Sequence, residues 1–298
     1  MGAGSSMPIE NYYLGCPGWG MKSWLGRLFP SGTKDRDFLA RYAEVFNTVE
    51  GNTTFYALPT PDIVARWRDS VPDDFRFCFK FPKTISHDKQ LVDCADDVAT
   101  FLDRIAALGH KLGTIMLQLP PRFRDLVRLR AFLAALPGEL QIAVEFRHEV
   151  FFASGPEEDE AMELLRERGV DLVIMDTRGI HASKSLEFAD VRGRKPALPI
   201  VMRATAARPI VRCVPHEVFA ETLPFLAVWP PQLARWIAEG KRPYFFMHAP
   251  DDTFAPENAY AFHRMLREQI AQGESKGAPP DVGQLPAWPG APKQLGLF

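Results

Sequence analysis

Glu50 and Glu145 stand inside apolar runs, 48–52 and 142–146, where a carboxyl must be either paired or put to use. Such a pair suits glycoside hydrolysis, one acid protonating a leaving oxygen while the other attacks or activates water. Trp19, Trp24, Phe55 and Tyr56 supply rings on which a sugar would stack. Barrel glycosidases usually carry their carboxylates on the fourth and seventh strands, whereas these fall on the second and fifth. A second chemistry is a divalent metal held by Glu50, Glu145, Asp176, His248 and Asp251, hard or borderline ligands near strand ends. Against it stand Lys80, Arg147 and Arg203, which would repel a cation. Those same cations, with His87, point to a third chemistry, receipt of a phosphate with the carboxylates and His248 as acid and base. Glu145 and Arg147 lie two apart, so one strand face carries both and an internal ion pair is the simplest alternative.

These residues need a scaffold that gathers strand ends. Strand-length apolar runs at 12–16, 48–52, 76–81, 114–119, 142–146, 171–176, 200–204 and 244–248 alternate with segments of helical period. Eight parallel strands with crossover helices close an α/β barrel, a (β/α)8 TIM-type fold, whose active site lies at the strands' carboxyl ends. Each predicted strand delivers a polar or ionisable group there. In chain order these are Cys16 and Trp19, Glu50 with Asn52 and Tyr56, Lys80 with His87, Gln118, Glu145 with Arg147 and His148, Asp176, Arg203, and His248 with Asp251 and Asp252. One such group is more often structural. Eight in register favour a ligand site.

Helix punctuation supports the alternation. Thr33 is placed to cap a helix with the stripe Phe38, Leu39, Tyr42 and Val45, and Thr60-Pro61 reads as an N-cap followed by proline at the first helical position. The connections 177–199 and 205–243 read poorly, the second broken by Pro209, Pro215, Pro224, Pro230 and Pro231. Between Arg178 and Arg212 there are eight lysines or arginines against Glu187 and Asp190, a basic stretch expected to overhang the barrel mouth and favour an anionic substrate, nucleic acid included.

Hydrophobic residues at 46% and charged residues at 24% furnish a sizeable core, and a net charge of −2 argues against wholesale coating of nucleic acid or anionic membrane. Four scattered cysteines without a CxxC pair fit a reducing cytoplasm. No run is long enough to span a bilayer. The expected organisation is a flexible leader over 1–11, a barrel over 12–272 and a tail over 273–298. That tail holds five glycines and five prolines, the composition of a disordered linker.

Segment 49–59, Val-Glu-Gly-Asn-Thr-Thr-Phe-Tyr-Ala-Leu-Pro, resembles the most characteristic stretch of the YecE-like family, domain of unknown function 72. So do 74–82 with Ile85-Ser86-His87, Gln118-Leu119-Pro120, and Val144-Glu145-Phe146-Arg147-His148. The resemblance runs from about Tyr13 to Ala261 and implies a barrel, but no reaction. The wider family's arginine–histidine pair on the seventh strand is replaced here, on the predicted strand, by Arg203 followed by Ala204-Thr205.

The last residues, Gln294-Leu295-Gly296-Leu297-Phe298, resemble the pentapeptide with which bacterial replication and repair proteins bind the sliding clamp. Glutamine would make polar anchoring contacts while Leu295, Leu297 and Phe298 fill an apolar pocket, the preceding linker acting as tether. The favoured reading is a clamp-associated barrel hydrolase on a phosphorylated or nucleic-acid substrate. The alternatives are a small-molecule isomerase, lyase or glycosidase, and a non-catalytic ligand- or nucleic-acid-binding adaptor.

Overall fold

Short β-rich runs with inward–outward alternation form eight parallel strands in a computed structural model that describes residues 9–273 and 280–288. They are β1 Tyr13–Gly15, β2 Thr48–Gly51, β3 Arg76–Lys80, β4 Leu112–Gln118, β5 Ile142–Glu145, β6 Asp171–Asp176, β7 Ile210–Cys213 and β8 Tyr244–Met247. Each pairs with its sequence neighbour from β2 to β8, and β1 pairs with β8. The circle closes between β1 and β2 through a bridge of Pro17 with Glu50, the Glu50 amide donating to the Cys16 carbonyl at 3.1 Å and the Gly18 amide to the Glu50 carbonyl at 2.9 Å. Gly15 permits this seam, because a β-carbon there would sit 2.2 Å from the Thr48 carbonyl oxygen. The (β/α)8 expectation holds.

The helices are α1 Phe38–Ala43, α2 Thr53–Tyr56, α3 Pro61–Asp69, α4 Ala95–Ile105, α5 Leu126–Ala135, α6 Pro156–Glu167, α7 Arg178–Ala182, α8 Ala189–Arg194, α9 Phe219–Leu226, α10 Trp229–Ala238 and α11 Ala255–Gln272. Thr60 caps α3 by accepting from the Ile63 amide, with Pro61 at its first position, and Asp125 caps α5 from the Arg128 amide at 2.8 Å. Thr33 does not cap: its hydroxyl donates to the Pro30 carbonyl, a 3-10 turn over Asp35–Asp37 follows, and α1 starts only at Phe38. The prolines of 205–243 precede or open elements rather than break them, Pro209 before β7 and Pro230 in the first turn of α10, with Pro224 alone inside a helix.

Strand parity divides the core. Val49, Phe77, Phe79, Ile115, Leu117, Val144, Leu172, Ile174, Val211 and Phe245 face the helices in the larger apolar cluster. Tyr13, Cys78, Met116, Ala143, Val173, Ile210, Tyr244 and Phe246 fill the barrel interior. One step of two residues beyond this interior plug, toward the carboxyl ends, lie Lys80, Gln118, Glu145, Arg212 and His248, joined there by Glu50 of β2. The apolar plug therefore seats a charged layer directly above it.

Two sequence expectations are corrected. The seventh strand is Ile210–Cys213, not 200–204, and its inward residue is Arg212, followed by Cys213. Both runs have strand composition, but only the later one pairs with β6 and β8. The tail is not a linker throughout. Residues 280–288 run back over the barrel, with Val282 and Leu285 buried and Trp288 set edge-on to Tyr260 at 4.7 Å. The Tyr260 hydroxyl donates to the Pro286 carbonyl, the Glu10 amide to Val282 and the Asn11 side chain to Asp281. Three apolar anchors supply what the glycine and proline count concealed. The peptide Gln294, Leu295, Leu297 and Phe298 lies outside the described residues, as does most of the proposed leader. Among the described residues no helix is long and apolar enough to cross a membrane.

Candidate functional site

Arg212 organises the charged layer. Its Nε and Nη2 donate to the two oxygens of Glu50 at 2.8 and 2.7 Å, and its Nη1 donates to Glu145 Oε2 at 2.6 Å. Arg147 completes Glu145 by donating from Nε to Oε1 at 2.6 Å, and its Nη2 donates to the Gln118 side-chain oxygen at 3.0 Å. Lys80 Nζ lies 3.2 Å from Glu50 Oε1, and His248 Nε2 is 3.1 Å from Glu50 Oε2. Met175, inward on β6, gives its sulfur to both guanidiniums at 3.7 Å. Bidentate, charge-assisted contacts of this kind are the arrangement in which buried ion pairs hold together.

The electrostatics follow from the contacts. Burial alone would raise Glu50, but Arg212, Lys80 and His248 outweigh it and hold the carboxyl well below the ordinary range. Glu145, likewise opposed by burial, is drawn down to about 2 by Arg147, Arg212 and Lys80. Burial, reinforced by Arg212, lowers Lys80 to about 8 against the pull of Glu50 and Glu145. Burial also lowers His248, so its imidazole is neutral at pH 7 and donates from Nε2 to Glu50.

Above this floor opens a cavity of about 370 Å³. Lys80, Arg147, Arg194, Lys195 and Arg212 line it, with Gln118, Asn52, Phe55, Tyr56 and His248, and among the described residues its single acidic lining residue is Asp252. Asp252 Oδ1 accepts from the Ala249 amide at 3.1 Å and stands 3.8 Å from His248 Nδ1; burial raises its pKa. Lys195 is lowered, chiefly by burial and then by Arg212. Cations thus outnumber carboxylates around the opening even after Glu50 and Glu145 are counted.

The structure brings together Glu50, Asn52, Tyr56, Lys80, Gln118, Glu145, Arg147 and His248, all expected from the sequence. His87 borders this group: it is half-buried, edge-on to Phe55 at 5.1 Å and hydrogen-bonded to the Ser86 hydroxyl at 2.9 Å. Other expected residues stand elsewhere. Asp176 has outward parity on β6 and takes both donors of Arg178 and the Trp229 indole N–H. Asp251 is exposed and closes a turn onto Thr253. Trp19 packs edge-on against Trp67 and Phe77 on the outer side of the wall. His148 Nδ1 accepts from the Val150 amide, a capping role. Arg203, off the seventh strand, pairs with Asp159 at 2.9 Å and Glu158 at 3.6 Å.

With Asp176 and Asp251 removed and every Glu50 and Glu145 oxygen engaged by a cationic donor, the five-residue metal set does not converge. Among the described residues no group of three potential ligands is placed to hold a metal ion. Sequence reasoning missed Arg212 as the inward residue of the seventh strand, while Lys195 comes from the basic stretch expected over the mouth and Asp252 from the groups expected at the end of the eighth strand. The signal for Arg212 was present in Ile-Val-Arg-Cys-Val between Pro209 and Pro215.

The sequence profile described as "Protein of unknown function DUF72" matches residues 13–282. The UPF0759 protein YecE of Escherichia coli K12 is 40% identical over 290 residues, covering 96% of this chain and 99% of that one. A crystal structure of a DUF72 family protein from Thermotoga maritima superposes with a TM-score of 0.66 at 24% identity, covering 86% of this chain and 99% of the other. One from Enterococcus faecalis gives 0.65 at 19%, covering 92% and 99%. Both share the fold.

Proposed function

The chain belongs to the DUF72 family, and from that premise we propose that its barrel mouth binds a substrate through a phosphate or similar oxyanion and hydrolyses the phosphorylated group. The observation that carries this reading is the cavity ringed by Lys80, Arg147, Arg194 and Lys195, with its two floor carboxylates already saturated by Arg212 and its neighbours. Lys80 and Arg147 are paired to the floor carboxylates, while Arg194 and Lys195 lie outside the floor pairs. An entering oxyanion meets the net positive charge left by five cations against Glu50, Glu145 and Asp252, in a partly desolvated site where such contacts are strong. Glu50 and Glu145, held ionised, are positioning residues that orient Arg212 and Arg147. The neutral imidazole of His248, next to Asp252, is the group for proton transfer. A glycosidase reading is disfavoured because neither floor carboxyl retains a proton to donate.

The test is calorimetric titration of the full chain with inorganic phosphate and with a short 5′-phosphorylated oligonucleotide at low and high salt. Salt-sensitive binding that Arg147→Ala and Lys195→Ala each weaken about tenfold supports the reading. No binding of either probe overturns it. Turnover of bis(p-nitrophenyl) phosphate or p-nitrophenyl phosphate, lost in His248→Ala, tests hydrolysis separately. Retention of binding without turnover would leave the oxyanion-binding adaptor as the correct reading.

The residue types of Gln294, Leu295, Leu297 and Phe298 support a second proposal, that this peptide docks the chain on the bacterial sliding clamp. Full-length protein should bind purified clamp, and the triple change Gln294→Ala, Leu297→Ala, Phe298→Ala should abolish binding. Equal binding by both forms would sink it.

A further inference from the structure

A second cavity, about 460 Å³, opens on the other side of Phe55 and Tyr56, and both residues line both cavities. We propose that it is the subsite for a hydrogen-bond-donating ring whose phosphate monoester occupies the barrel mouth, so that the substrate lies across Tyr56; this rests on the oxyanion reading of the mouth. The ridge is built to hold a position. Thr54, the buried residue of α2, donates from its hydroxyl to the Lys80 carbonyl at 2.8 Å, tying the helix to the strand that supplies the floor lysine. Phe55 stands edge-on between Tyr56 and His87, 5.1 Å from each. Tyr56 is left 80% exposed, a large aromatic at the rim of a polar cavity with its ring open to solvent. Rings offered in this way accept stacking partners.

The two cavities differ in charge, and the difference selects the ligand. Cations ring the mouth. The second cavity carries Asp88, Asp96 and Asp97 with the hydroxyls of Thr84 and Thr100, over apolar walls from Leu58 and Pro82. The lining lysine Lys83 is paired with Asp88 at 3.2 Å, and Asp97 is paired with Lys89 at 2.6 Å. Carboxylates accept from hydroxyl or amino groups and repel a second phosphate. A compact monoester on a hydroxylated or amino-bearing ring satisfies both ends, whereas a chain of phosphodiesters crossing the ridge places its next charge near Asp96, which has no ion pair among the described residues, and meets no unpaired cation there.

Adenosine 5′-monophosphate and glucose 6-phosphate represent the two sources of such a ring, aromatic with an amino group or saturated with hydroxyls. Titration of the full chain is expected to show at least one binding about 5- to 100-fold more tightly than inorganic phosphate, the range for a stacked ring. Tyr56→Ala should remove that advantage, read as the ratio of ester to inorganic-phosphate affinity within the same variant, and Tyr56→Phe should keep it. Preference for one probe identifies the source. If phosphate binds but neither ester binds more tightly, or if Tyr56→Ala leaves the advantage intact, the subsite is refuted while the mouth reading stands. If phosphate and both esters all fail to bind, both fall together.

Discussion

The guanidinium of Arg212 grips Glu50 with two parallel hydrogen bonds of 2.8 and 2.7 Å, at the centre of a barrel whose walls leave both side chains almost wholly buried. Neither residue is an optional ornament of the other, since each is the main neutraliser of a charge removed from water. Glu50→Gln should therefore destabilise the protein by about 3–5 kcal/mol in urea unfolding, and Arg212→Met by a similar amount. The double variant should lose less than the sum of the two. Simple additivity would show that the pair is not coupled as its geometry requires.

Arg203 and Arg147 should separate cleanly. Arg203→Ala removes a half-exposed pair with Asp159 and Glu158, so stability should change by less than about 1 kcal/mol and phosphate affinity by less than about twofold. Arg147→Ala should weaken phosphate about tenfold, because its guanidinium lines the mouth. Equal effects in isothermal titration would contradict the placement of the seventh strand.

Asp171 gives the stability a pH-dependent term of unusual sign. Burial raises it to about 7, opposed by the amide and charge of Arg208. Its folded pKa exceeds the unfolded value of about 3.9, so its contribution is complete below about pH 4 and is lost as pH rises through about 7, by up to about 4 kcal/mol. Asp171→Asn should flatten that decline in denaturant titrations from pH 4 to 8. Glu145, drawn down to about 2, acts oppositely: its contribution is present above about pH 4 and disappears in acid. Asp171→Asn should leave this acid limb intact.

Trp288→Ala should cost about 1–2 kcal/mol and lower Tm by roughly 2–6 °C, through loss of the ring contact with Tyr260 and of packing against the apolar core. Tyr260→Phe, which removes the hydrogen bond to Pro286, should cost about 1 kcal/mol. An unchanged melting curve for both would mean that 280–288 adds nothing to the barrel.

Most of this architecture is written locally. Runs such as Phe77-Cys78-Phe79 and Ile115-Met116-Leu117 state both strand and parity, and Glu50, Lys80, Glu145 and His248 stand out as ionisable groups at the ends of apolar runs. What escaped is what depends on pairing. Two runs of similar composition compete for the seventh strand, and only hydrogen bonding to β6 and β8 decides for the one bearing Arg212. Asp176 ends a strand as Glu145 does, yet it faces outward, and a one-residue difference in parity replaces the cavity with Arg178 and Trp229. The packing of 280–288 escaped because three apolar anchors among prolines and glycines carry no period.

The pairing of β1 with β8 makes the barrel's completion a matter of timing. Tyr13 waits for Tyr244 to be synthesised, roughly 10 to 50 s at about 5–20 residues per second. Until then the growing sheet has open edges, and its inward face shows Glu50, Lys80 and Glu145 without the guanidinium that later bridges the two carboxylates. Ionised groups on that open inward face discourage premature collapse and the addition of a foreign strand. The segment bearing β7 and β8 then brings in close succession the charge that settles the floor and the edge that closes the ring.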